Sequence, residues 1–315
     1  SLLREHIHLL EPVDGRCLTP DFRVLDEAEA QLLRERALER TMETFYQDIE
    51  NGDEEAAQLA GTLGAGRDDR ALTALVLELH SKIQSHPYPE KWLRAAAESW
   101  RQLPSSLADS DYGRTVMEDT VRRALFWAGQ LERAVAAMED CEPVYKANAA
   151  QFLAAAAELR RYEQASQEGW DAMGRVQPVL QRAGTVKNGE NDEAKAAAKA
   201  VREKYKKAKE EMTAPYLVTE REHLEDLQAA APSMLALLRL TERFSQRYQA
   251  EKVRRNTMDF SDQEHYAVTL LCGQDDEPTD LARQVSQRYQ EIMVDEYQDT
   301  NEVQDCIFQA ISRAG

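Results

Sequence analysis

The chain has 315 residues, with 39 Lys and Arg against 57 Asp and Glu, for a formal net charge of −18. Its 13 glycines and 10 prolines fall well below the roughly 12% such residues reach on average, while 44 alanines favour helix, where Ala loses no side-chain entropy. Collagen-like, disulfide-stapled and β-sandwich classes are excluded, and so is a membrane protein, because stretches such as residues 71–79 do not approach the ~20 apolar residues of a bilayer span.

In chain order, Asp26 is an N-cap with acidic residues in the turn after it, and the helix it starts should run to about Ile49. Asn51-Gly52-Asp53 breaks it. A second helix is predicted over residues 54–63 and a third over 71–85, with Leu72, Leu75, Val76 and Leu79 on one face. His86-Pro87-Tyr88-Pro89 stops that helix and Pro89 restarts the next, which Pro104 ends. Residues 112–181 read as helix, relieved at Cys141-Glu142-Pro143 and Gly169. Residues 184–191 are loop-like, and Asn191 or Asp192 caps a helix to about Met212. Pro232 is expected to separate two more helices, the second running to about Arg254. Asp259 to Asp262 cap a helix into Leu271, residues 275–279 form a loop, and residues 280–289 a helix. Only Ile292-Met293-Val294 reads as a buried strand, with a helical pattern (Val303, Ile307, Ile311) after it. No repeat of fixed period appears, which argues against a solenoid.

Four scattered cysteines without CxxC spacing read as reduced thiols in a cytoplasmic protein, and no signal-peptide pattern opens the chain. His6 and His8, two residues apart, point to different faces of a helix and make a poor metal pair. The four tryptophans, Trp92, Trp100, Trp127 and Trp170, lie in helical patterns and read as core.

The sharpest chemical feature is the run Ile292-Met293-Val294-Asp295-Glu296-Tyr297-Gln298-Asp299-Thr300-Asn301. An apolar strand that delivers two carboxylates at its end suits a nucleotide site, where one helps hold Mg²⁺ and the other polarises water. A bare acidic pair of this kind also fits a surface turn capping the next helix. The whole string from Asp295 to Asn301 closely resembles motif II, the Walker B element, of UvrD-like superfamily 1 DNA helicases. Tyr248-Gln249-Ala250-Glu251-Lys252 with Met258-Asp259-Phe260-Ser261-Asp262 is similar to the segment preceding that motif, and Asp21 to Glu29 is similar to a stretch near the superfamily's early motifs. His86-Pro87-Tyr88-Pro89-Glu90-Lys91-Trp92-Leu93 and the Lys-rich helix after Asn191 resemble the AddA branch of helicase–nuclease proteins.

That resemblance implies a mainly α fragment, with residues 1–238 as an elongated helical 1B-like arm and residues 239–315 returning to a RecA-like 1A motor domain as a short α/β remnant. It implies a parent enzyme that uses ATP and Mg²⁺ for 3′→5′ DNA strand separation and end resection in double-strand-break repair, together with an AddB-type partner. By the same analogy Asp295 serves Mg²⁺ and nucleotide, Glu296 is the catalytic base and Gln298 contributes to coupling at the nucleotide site. A Walker A loop is missing. The nearest string, Gly61-Thr62-Leu63-Gly64-Ala65-Gly66-Arg67-Asp68, has the glycine spacing, but Arg67 replaces the Lys, Asp68 the Ser/Thr, and no strand precedes it. The fragment is therefore expected to be inactive alone. The rival readings are a non-catalytic helical module that binds another protein, and an unusual NTPase built on residues 61–67.

A second feature is basic. Lys195, Lys199, Arg202, Lys206 and Lys209 recur at helical spacing, and residues 195–209 hold seven basic side chains against one acidic. Ala197, Val201, Tyr205, Ala208 and Met212 are expected on the apolar face. Such a ridge is either a solvated face or a contact for DNA phosphates. Lys252, Arg254 and Arg255 form a weaker cluster of the same kind.

Overall fold

The computed structural model describes residues 2–63, 69–186, 191–273 and 277–312, and it is mainly α. The chain forms two compact units, one from residues 1–102 with 230–315 and the other from residues 103–229. The first unit opens with α1 (Leu2–His6), β1 (Arg23–Val24), α2 (Glu27–Glu50), α3 (Glu54–Leu63), α4 (Arg70–Ile83) and α5 (Pro89–Arg101). Asp26 starts α2 through a capping box: its side chain accepts from Glu29 N–H at 2.8 Å while the Glu29 carboxylate accepts from Asp26 N–H.

The second unit holds α6 (Asp111–Ala136), α7 (Glu142–Glu168), α8 (Trp170–Arg175) and α9 (Asp192–Thr213). Its core is built from small residues where helices approach, Ala124, Ala128, Ala155 and Ala156, and from Leu131, Phe152, Leu159, Trp170 and Tyr205 between them. Gly113 sits where the backbone of Leu107 passes so close that a Cβ would collide with its carbonyl at 1.9 Å.

Helix α10 (Glu220–Arg254) carries the chain back into the first unit, followed by β2 (Thr257–Met258), α11 (Phe260–Leu271), α12 (Asp280–Ser286) and α13 (Glu302–Ile311). Pro232 lies inside α10 and does not divide it. A helix-interior proline costs about 3 kcal/mol, and apolar burial on both sides offsets it: Leu224 and Leu227 pack on the core of the second unit, Ala236, Leu237, Leu240 and Phe244 on that of the first.

Within the first unit, Leu33, Ala37, Phe45, Leu59, Leu72 and Val76 pack against Ala236, Leu237, Leu240, Phe244 and Tyr248. This shared core draws residues 1–102 to the returning C-terminal segment, and the compact units part at 102/103 and 229/230.

Two short strands pair in parallel, Arg23 with Thr257 and Val24 with Met258, and make the only named sheet among the described residues. Neither was expected. The segment that was, Ile292-Met293-Val294, forms no strand. It carries no regular secondary structure, with Ile292 40% and Met293 88% exposed. An apolar run becomes a strand only where a neighbour accepts its backbone hydrogen bonds, and none among the described residues meets it.

Candidate functional site

The segment after α12 leads into a tight turn at Asp295-Glu296. The Asp295 carboxylate accepts from the N–H of Glu296 at 3.0 Å, and Glu296 adopts left-handed backbone geometry with φ 51° and ψ 43°. A side chain bearing a Cβ rarely takes that conformation, so the turn stores a small strain at its second carboxylate. Gln298 donates its amide N–H to Glu296 Oε2, and the Tyr297 hydroxyl donates to Asp305 Oδ1. Asn301 caps α13, accepting from Gln304 N–H at 2.8 Å. Asp295, Glu296 and Gln298 thus gather on one exposed turn, bound to each other.

A second motif meets that turn's helix. The loop before α5 places His86 Nδ1 2.9 Å from Glu302 Oε2, at the start of α13. The His86 ring stacks on Trp92 at 5.5 Å between centroids, and its backbone carbonyl lies 3.1 Å from His265 Nε2. Tyr88 donates its hydroxyl to the Gly273 carbonyl at 3.2 Å. Nothing in the sequence linked residues 86–93 to the acidic run, since the partners are 216 positions apart.

Beneath α10 lies a buried ionic cluster. Lys252, 3% exposed, donates to Asp262 Oδ1 at 2.7 Å and to Asp259 Oδ2 at 3.0 Å, with its ammonium 4.2 Å from the centre of the Tyr248 ring. The Tyr248 hydroxyl also donates to Asp259 Oδ2, at 2.9 Å, while Asp259 and Asp262 form the capping box of α11. Burial alone would raise the Asp259 carboxyl; the Lys252 charge and these hydrogen bonds outweigh it and hold the group at about 2. Asp262 goes the other way, raised by burial and by the neighbouring Asp259 charge. Close by, burial and the Lys252 charge push the His80 imidazole down to about 4, and Ser245 Oγ lies 2.8 Å from its Nδ1. Lys252 is therefore no member of a basic surface cluster, and Arg254 and Arg255 both lean on Glu251. A lysine with carboxylates seven and ten residues on was the signal available in sequence.

On α9 the ridge divides. Lys199 and Lys206 are exposed, Lys195 and Lys209 half-buried. Arg202 turns inward: Nε donates to Asn148 Oδ1 at 2.9 Å, Nη1 to the Gln181 carbonyl at 2.6 Å, and the guanidinium carbon lies 5.1 Å from the Phe152 ring centre. Desolvation lowers its pKa. The helix buries Ala198, Tyr205, Ala208 and Met212, whereas Ala197 faces solvent, so Arg202 borders the buried seam.

Of the glycine-spaced string, Gly61, Thr62 and Leu63 end α3, and residues 64–68 lie outside the described residues. Trp170 is buried with its Nε1–H donating to the Val218 carbonyl at 3.1 Å, and Trp127 packs edge-on against Tyr205. Among the described residues, no group of three or more His, Cys, Asp or Glu side chains is placed to hold a metal, and no helix is long and apolar enough to cross a membrane.

The UvrD/REP helicase N-terminal domain family matches residues 1–315. An AddA-type ATP-dependent helicase/nuclease protein of Acetivibrio thermocellus is 31% identical over 321 residues, covering 94% of this chain and 24% of that protein. Its namesake in Desulfitobacterium hafniense is 33% identical over 339 residues, covering 99% of this chain and 23% of that protein. The namesake in Ruminiclostridium cellulolyticum is 28% identical over 311 residues, with 94% and 24% covered. The chain spans about a quarter of the length of these curated relatives. With the family match running the full length of the sequence, this chain belongs to the UvrD/REP helicase N-terminal domain family.

Proposed function

We propose that this chain works as part of a longer ATP-dependent DNA helicase/nuclease protein that unwinds and resects DNA ends in double-strand-break repair in the cytoplasm, with an AddB-type partner. The single observation that carries the reading is the Asp295 to Asn301 string, set in a chain whose relatives bear the name ATP-dependent helicase/nuclease. In this reading residues 239–315 return to a RecA-like motor and the sequence before them forms a helical arm. The compact unit of residues 103–229 is the part of that arm that packs on itself.

The two carboxylates suit a magnesium nucleotide. Mg²⁺ takes hard oxygen donors, usually one or two carboxylates completed by water and phosphate oxygens, and Asp295 and Glu296 are exposed side by side on their turn. When bound, Mg²⁺ would neutralise charge that develops on the transferred phosphoryl group of ATP. Asp295 would hold the metal. Glu296 would orient the attacking water and accept its proton at a carboxylate oxygen. Gln298, whose amide already donates to Glu296 Oε2, would fix that carboxylate's direction. The ridge of Lys195, Lys199, Lys206 and Lys209 would contact DNA phosphates, while Arg202 holds the helix in place through Asn148 and the Gln181 carbonyl.

The test is the full-length protein with Glu296→Gln. Loss of the base should lower DNA-stimulated ATP turnover by at least about a hundredfold while nucleotide binding stays unchanged. Turnover that survives the substitution would favour the non-catalytic helical module.

A further inference from the structure

We propose that Cys272 and Cys306 are a reversible disulfide site, a thiol pair that closes when the protein meets a low-molecular-weight disulfide and thereby ties α13 to α11. All four cysteines are thiols in this structure, and these two have their sulfurs 3.0 Å apart. A disulfide bond is about 2.05 Å long, so closure asks for a shift of roughly one ångström and new side-chain torsions, without relocation of either helix. The backbones are well held. Cys272 ends α11, donating its N–H to the Val268 carbonyl at 2.7 Å, and the residue beside it, Gly273, donates to the Glu277 carbonyl at 2.7 Å. Cys306 lies inside α13. Around them Val268, Leu271, Ala282, Val285, Val303 and Ala310 form an apolar cluster that keeps competing nucleophiles away.

The two sulfurs differ in access, which sets the order of events. Cys272 is 4% exposed and Cys306 is half-buried, so Cys306 meets the reagent first. The Cys306 thiolate attacks one sulfur of glutathione disulfide, forming a mixed disulfide and releasing one glutathione thiolate. Cys272 then gives its proton to a released thiolate or to water and attacks Cys306 Sγ, and the second glutathione leaves. Two protein thiols are oxidised and one glutathione disulfide is reduced to two thiols. A dithiol reductant reverses both steps.

The consequence falls on the acidic turn. The bond would close a loop from Cys272 to Cys306 that contains Asp295, Glu296 and Gln298, with Asn301 and Glu302 on the tethered helix. The disulfide rests on the geometry of α11 and α13 alone and stands or falls independently of the helicase reading.

The experiment treats the 315-residue chain with glutathione disulfide under native conditions, alkylates remaining thiols, and maps the cysteines by mass spectrometry without reduction. The expected product is a peptide linking Cys272 to Cys306, formed at least about tenfold faster in buffer than in urea because folding presets the two sulfurs. Cys17, which is exposed, should stop at a glutathione adduct and serves as the internal control. In Cys272→Ala, Cys306 should likewise stop at the adduct, and in Cys306→Ser, Cys272 should remain a thiol. Dithiothreitol should return all four thiols. A stable glutathione adduct on Cys306 of the unmutated chain, a link from either residue to Cys17 or Cys141, or equal closure rates in buffer and urea would each overturn the proposal.

Discussion

An ammonium group that meets almost no water survives only where its charge is matched, and Lys252 is matched by two carboxylates and a ring face. Replacing it by Met leaves Asp259 and Asp262 buried without their cation, so urea unfolding of Lys252→Met should show a loss of about 3–5 kcal/mol. Adding Asp259→Asn and Asp262→Asn should recover much of that loss. His80 makes a pH prediction. Its imidazole titrates near 4 when folded and near 6.5 when unfolded, so the unfolded chain takes up the proton first. The stability it contributes is complete above pH 6.5 and declines as pH falls toward 4. His80→Gln should flatten that part of the stability curve relative to the unmutated chain; identical slopes would refute the assignment. Asp259, held at about 2, adds a loss between pH 3.8 and 2, which the raised Asp262 partly offsets. At the turn, Glu296→Gly relieves the left-handed φ of 51° and should raise the thermal midpoint, a gain of about 1 kcal/mol, while deleting the proposed base.

At the level of elements, the sequence was most legible where helices start. The capping residues Asp26 and Asp259 carry their signal in a single local pattern, and the helix over residues 54–63 follows the Asn51-Gly52-Asp53 break. The strand pairing was not legible, because Val24 meets Met258 through contacts that no local pattern encodes. Pro232 misled for the opposite reason: a strong local rule was overridden by burial along α10. The acidic turn was visible as chemistry but not as geometry, since an apolar run gives no notice of whether a neighbouring strand will meet it. Helix α9 offers a direct check on the same distinction. Lys199→Glu and Lys206→Glu alter exposed positions and should leave the thermal midpoint within about 0.5 kcal/mol equivalent of the original. Arg202→Glu places a carboxylate beside the Asn148 carbonyl oxygen and the Gln181 carbonyl, and removes the cation from the Phe152 face. It should cost about 2–5 kcal/mol. Equal midpoints for the three variants would remove Arg202 from its structural role.

For the molecule as a whole, charge decides what the chain can do by itself. A net charge of −18 repels nucleic acid, while the exposed lysines of α9 offer a local attraction. If Lys195, Lys199, Lys206 and Lys209 each neutralise one phosphate, the logarithm of the DNA affinity should fall with the logarithm of salt at a slope of about −3 to −4. Binding should be weak and indifferent to sequence, because ammonium groups along a ridge read backbone charge and not base edges. The measurement is DNA affinity of the unmutated chain and of Lys199→Glu with Lys206→Glu, titrated at several salt concentrations. The double variant should bind too weakly to detect at low salt while its circular dichroism spectrum stays helical. Arg202 is left untouched in that variant, so lost affinity cannot be charged to an unfolded helix. Equal affinity for the two proteins would return the ridge to the role of a solvated face. The same preparation answers the question of turnover. On the fragment reading, the proposed base and metal ligand are only part of a nucleotide site, and oriented donors around the phosphates supply most of the stabilisation in phosphoryl transfer. The 315-residue chain should therefore hydrolyse no ATP with or without DNA, even where DNA binds. DNA-stimulated hydrolysis by this chain, abolished by Glu296→Gln, would make it an NTPase in its own right and end the fragment reading.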